Sequence, residues 1–257
     1  MRLGRCRLMA VLMVSAADVN DYRELLQVIN SMAQEDIAAL WYRLQFDAPE
    51  VVLEALRAGV PEVVGQYQAM AADSAAVFYE NTQGVMFDVG AVRSASQVDR
   101  EALDVALRWV VFAPGNADVL SRLSGVVQKH IFRGARQYVL DQKAFRNAGW
   151  WRHAQPGACA FCRMLATRSV RDWGEYGSAS AADAAGGGKH SRNKKKPDGY
   201  QFHDHCRCVP VLASEYEIPS YVEKWDDEYE AAANVVGNRS DFTSILSQMR
   251  IASGHSH

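Results

Sequence analysis

Apolar residues recur at helical spacing through the first half of the chain. Over residues 19–46, Leu25, Ile29, Met32, Ile37, Leu40 and Leu44 return at steps of three to five, which predicts an amphipathic helix with a bend near Gln34. Pro49 and Pro61 stand where helices can begin, because the first turn does not use the N–H that proline lacks. They predict two further helices, over 50–58 and 62–81. Residues 84–90 read as an extended break between glycines. The stretch from Ser96 to Asp99 then offers an N-cap and an early acid for a helix reaching Phe112. After the turn signal Ala113-Pro114-Gly115-Asn116 comes the longest periodic run, 118–146, with Leu120, Leu123, Val127, Ile131, Ala135, Tyr138 and Val139 on one stripe. Lys129, Arg133, Arg136 and Lys143 line its polar side, which reads as a solvated face or as a surface for a partner or for phosphates.

Past residue 147 the pattern shortens. Trp150 to His153 is a brief Trp-bearing segment, a short helix follows Cys159 and reaches Thr167, and Cys206-Arg-Cys-Val-Pro-Val alternates like a strand. Between them, residues 178–199 are low in complexity: Ala, Ser and Gly, then a basic run with Lys189, Arg192, Lys194, Lys195 and Lys196. Such composition predicts a flexible loop that either links passively or touches DNA or an acidic partner. The region 215–230 is acidic, a helix is predicted over 222–236, and Ser240 is placed to cap another over 241–249. The fold class expected is therefore α+β, mainly α. Residues 1–17 form a ragged N-terminus with Met9 or Met13 as candidate starts, 18–146 a helical array, 147–213 a small metal-stapled lobe with short strands, and 214–257 an acidic helical extension.

Composition adds limits more than answers. A 49% hydrophobic content and a formal net charge of −2 describe an ordinary globular chain with no global reason to bind nucleic acid. The apolar run 8–14, although preceded by Arg2, Arg5 and Arg7, is far too short to span a bilayer.

Candidate chemistry lies in the cysteines, four of the five falling between 159 and 208. Cys159-Ala-Phe-Cys162 places two thiols on one tight turn, and His203-Asp-His-Cys206-Arg-Cys208 supplies a second soft-ligand cluster. Two such half-sites can close a tetrahedron around zinc at Zn–S distances of ~2.3 Å. Clustering argues against isolated core thiols, and the spacing in a chain of this size reads as metal before disulfide. Five side chains, Cys159, Cys162, His203, Cys206 and Cys208, compete for four positions, with His205 an outside candidate and His153 a spare. That many donors point to a closed, structural Zn2+ site, since a catalytic zinc keeps one position for water.

Arg133 and Arg136 on a helix, then Asn147-Ala-Gly-Trp150, Cys159-x-x-Cys162 and His203-x-x-Cys206-Arg207-Cys208 together resemble the MuF-like minor head proteins of tailed bacteriophages, in order and in spacing. Asp204 stands where that family usually has proline, and the spacer before His203 is long. The resemblance implies a head component made in the host bacterial cytoplasm and housed inside the virion head. There it would contact the portal and the capsid or scaffold proteins and assist assembly or DNA delivery, with no small-molecule substrate. Proteins of this size in such gene clusters also include capsid maturation proteases, which gives the enzymatic alternative. The chain itself holds no H-E-x-x-H, G-x-S-x-G, P-loop or H-x-E signature. A DNA-binding module acting through the basic loop is the third reading.

Overall fold

The computed structural model describes residues 13–114, 118–142, 150–167, 205–212, 216–239 and 241–254. Helix α1 (Ala16–Leu44) runs unbroken past Gln34. Ser15 caps it in a capping box with Asp18, satisfying two backbone donors that the first turn leaves over. Its buried face is Val19, Tyr22, Leu26, Ile29, Ala33 and Ile37, so the stripe expected from the sequence was partly the wrong one: Leu25 and Met32 face solvent. The helix carries apolar residues on two sides, and periodicity alone does not say which side meets the core. Val14, just ahead of the cap, is buried and bridges in parallel to Tyr216.

Helix α2 (Pro49–Gln83) is single, where two were expected. Pro61 lies inside it and removes one backbone bond. The apolar stripe of Leu53, Leu56, Val60, Val64, Tyr67 and Ala71 continues through the proline and is buried along its whole length, and that packing outweighs the local break. Gly84 ends α2 in the left-handed conformation at φ 60. The expected break that follows is present at residues 84–88, and a further short helix not foreseen, α3 (Val89–Ala95), begins at its end, capped by Asp88, whose carboxylate accepts from the N–H groups of Gly90 and Ala91. Asp99 caps α4 (Arg100–Phe112), and Asp118 caps α5 (Val119–Asp141).

Helices α1, α2 and α5 pack against one another, with α3 and α4 laid on α2 and α5. Gln34 on α1 donates across to the Ser124 carbonyl of α5 at 3.2 Å. Strand β1 (Trp150–His153) pairs antiparallel with β2 (Val209–Leu212), Trp150 opposite Leu212 and His153 opposite Val209. The rest of the lobe is α6 (Ala160–Thr167), α7 (Tyr221–Val236) and α8 (Phe242–Ser253), joined through Met164, Leu165, Tyr229, Ala233, Ile245 and Met249. Asp241 caps α8. The described residues are thus mainly helical with one small antiparallel sheet, as the pattern predicted.

The lobe is fastened to the helices by more than one device. Val209, Val211 and Leu212 of β2 belong to the same apolar core as α1, α2 and α5. The Tyr79 hydroxyl of α2 donates to the Pro210 carbonyl, and the Leu212 N–H donates to the Gln83 side chain at 3.0 Å. Arg136 was expected on a polar face, either solvated or turned to a partner or to phosphates. It is instead 3% exposed, because α5 turns that side toward the cysteine turn.

Candidate metal centre

Cys159 closes the first turn of α6, its carbonyl accepting from the Arg163 N–H at 3.0 Å. Cys162, three residues on, lies on the same side of the helix start, where the positive end of the helix dipole favours thiolate. The second cluster arrives by a turn at His205, whose φ of 63 is unusual for a residue with a side chain. Cys206 and Cys208 follow, immediately before β2, so neither lies within the strand that the alternating pattern predicted.

The Sγ atoms of Cys162, Cys206 and Cys208 lie within 4.8 Å of one another, and those of Cys162 and Cys206 are 3.6 Å apart. That is far beyond a disulfide bond of ~2.05 Å. It agrees with the ~3.8 Å edge of a sulfur tetrahedron built at ~2.3 Å from a central zinc-like ion. The three thiols are 1–3% exposed, packed with Ala154, Ala166, Val222 and Trp225. Cys159, half-buried, hydrogen-bonds to Cys162 and stands beside the trio. His205 is exposed and does not join the group of donors. His203 lies outside the described residues, as do Lys189, Arg192, Lys194, Lys195, Lys196 and the whole predicted loop 178–199.

Of the three thiols, Cys206 is the one shifted downward. Burial opposes it, yet hydrogen bonds from Cys162 and Cys208 and the charges of Arg136 and Arg152 hold it well below the ordinary thiol range. Cys162 is pushed up by its hydrogen bonds with Cys159, Cys206 and Cys208 and by burial. Three buried soft donors in one cluster are suited to a soft or borderline divalent metal, and their seclusion from water suits a structural role.

Arg136 completes the surroundings. Its Nε donates to the Cys208 carbonyl at 3.0 Å and its Nη2 to the Cys206 carbonyl at 2.8 Å, while its guanidinium lies 5.3 Å from the Phe132 ring centre. The sequence signal for this role was its place on the core-bearing helix, two residues after Gly134, but a charge at that spacing ordinarily faces water.

His153, the spare ligand by sequence, is engaged elsewhere. It is 1% exposed, with Nδ1 2.6 Å from the Tyr216 hydroxyl and Nε2 3.1 Å from Asn20 Oδ1. The Asn20 oxygen only accepts, so Nε2 carries the proton and Nδ1 accepts from Tyr216. Burial and the charge of Arg23 push its pKa down to about 3. An unfolded histidine binds a proton below ~6.5, so between that pH and about 3 the unfolded state holds more protons and stability falls with falling pH, by up to ~1.4 kcal/mol per unit. The slope of unfolding free energy against pH between 7.5 and 5.5 should flatten in His153→Gln. An unchanged slope would show that the imidazole is not held neutral.

The VG15 protein family matches residues 13–232 of the chain. Comparison with curated proteins and with solved structures returns no match. The matched span includes α1 through α5, both strands and all four clustered cysteines, and on that extent the chain belongs to the VG15 protein family, a family of phage-encoded proteins.

Proposed function

We propose that this protein is a minor component of the phage head, associated with the portal and the capsid or scaffold proteins inside the particle, and that Cys162, Cys206 and Cys208 hold a structural zinc ion with Cys159 or His203 as fourth ligand. The observation that carries the reading is the closed thiol cluster at the seam between lobe and helices, in the motif order that resembles MuF-like proteins. Zinc bound there cross-links chain segments 44 residues apart, which stabilises a lobe whose own apolar core is small.

An exposed apolar face on α1 supports the partner reading. On α1 the exposed Leu25, Val28 and Met32 form a stripe, and beside it a groove against α2 is lined by Leu25, Val77 and Phe78 with Asp18, Asp21 and Asp73 at its edges. An apolar face with an acidic border fits a partner that offers apolar side chains flanked by basic ones. Among the described residues, no helix is long and apolar enough to cross a membrane.

The test is whether the protein resides in particles. Mass spectrometry of purified procapsids and virions should find it at a few copies, and co-expression with the portal protein should co-purify the two. Leu25→Asp with Met32→Asp should break that association while leaving the fold intact. Particles that lack the protein at every stage of assembly would refute the head role.

A further inference from the structure

Three arginines from three different elements are buried around the thiol cluster: Arg23 of α1, Arg136 of α5 and Arg152 of β1, at 7%, 3% and 3% exposure. Placing a guanidinium so deep costs several kcal/mol unless negative charge stands near it. The thiols supply such charge once a metal deprotonates them: Arg136 is bonded to the backbone that carries Cys206 and Cys208, and Arg23 and Arg152 are within electrostatic range of Cys208. A divalent ion bound by four thiolates carries a net −2, and one bound by three thiolates and a histidine carries −1. With either ligand set the centre is a buried anion.

Resting on the reading that this cluster holds a metal, we infer that the arginines form a cationic outer shell for the centre and that Arg136 is its positioning residue, coupling metal retention to the seating of α5. The geometry gives the reason. Its fork spans two carbonyls of the same short turn, at 3.0 and 2.8 Å, and thereby fixes the Cys206–Cys208 backbone from which two sulfur donors project. A planar guanidinium reaches both acceptors at once, which a lysine ammonium on its flexible stem cannot reproduce. Outer-shell partners of this kind commonly contribute 10–100-fold to metal affinity. The helix behind it also has little freedom to retreat, since α5 contributes Ile131, Phe132 and Ala135 to the bundle core.

The experiment uses the full chain with Co2+ and Zn2+ as the metals. Wild-type protein should take up one Co2+ per chain with a thiolate-to-cobalt charge-transfer band and the visible bands of a tetrahedral site, and Zn2+ should displace it. Arg136→Met, which keeps the bulk and removes the fork and the charge, should lower Zn2+ affinity in chelator competition by about 10–100-fold and alter the Co2+ visible bands. Arg136→Lys, the more conservative change and the safeguard if the methionine variant does not fold, should fall between the two, restoring charge but not the double contact. Failure of the wild type to bind either metal would overturn the metal reading itself. Wild-type binding, with either folded variant keeping affinity within twofold and an unchanged Co2+ spectrum, would overturn the role of Arg136 alone.

Discussion

Purified without added metal, the protein is expected to carry close to one zinc ion per chain, and stripping that ion with a chelator is expected to lower its unfolding temperature by ~10 °C or more. Structural zinc sites contribute apparent free energies of ~10–16 kcal/mol in small peptides that are unfolded without metal. Each kcal/mol shifts the midpoint by ~2–4 °C in a chain of 150–250 residues. The full figure should not appear here, because α1, α2 and α5 have a core of their own. Damage should begin in the lobe, where Cys162, Cys206 and Cys208 are themselves much of the packing with Val222 and Trp225. In Cys206→Ser, limited proteolysis should therefore cut first around α6 and α7 while the helical bundle stays protected. Since β2 shares the bundle core and Tyr79 bonds to the Pro210 carbonyl, the bundle should still lose some stability. The ligands bind as thiolates, so retention should weaken as pH falls. A folded, metal-free protein with an unchanged melting temperature after chelation would sink the zinc reading, as would uniform protease resistance in Cys206→Ser.

The cysteine cluster was clearer in the sequence than the residues that surround it. The grouping of Cys159, Cys162, Cys206 and Cys208 was legible because paired cysteines at that spacing stand out in the chain, and the structure brings three of them together with the fourth alongside, while His203 lies outside the described residues. The helices α4, α5, α6 and α7 were legible because a cap or a turn coincided with the start of a periodic run. Pro61 misled because its local rule was outweighed by a buried stripe on both sides of it. Helix α3 was missed because seven residues containing a glycine carry too little periodicity, although Asp88 was a cap in plain view. Arg136 and His153 share a different cause. Each is a polar side chain whose burial depends on partners far along the chain, Cys206 and Cys208 for the one, Asn20 and Tyr216 for the other. No spacing rule reaches that distance, so they read as a surface charge, solvated or facing a partner, and as a spare ligand.

Gly134 joins the bundle to the cysteine cluster, and Gly134→Ala is expected to cost ~3 kcal/mol, at the upper end of what overpacking a tight interior does. A Cβ placed there would lie 2.4 Å from the Gln68 backbone oxygen and 2.7 Å from Gln68 Cγ, on the facing side of α2. Neither atom can give way cheaply. The oxygen belongs to a helix, and the Gln68 side chain is pinned by donating to the Ala95 and Gln97 carbonyls at 2.7 and 2.9 Å. The relief left is for α5 to move away from α2, and Arg136, half a turn further along, moves with it off the Cys206 and Cys208 carbonyls. The same methyl group should therefore weaken zinc retention as well as stability, although it touches no ligand. On an exposed helix the substitution would act in the opposite direction, since alanine favours helix over glycine by ~1 kcal/mol. Chemical denaturation and chelator competition on the one variant read both effects. Stability equal to or above wild type would mean that the two helices do not approach at Gly134, and lost stability with unaltered zinc affinity would mean that the seating of α5 does not reach the cysteines.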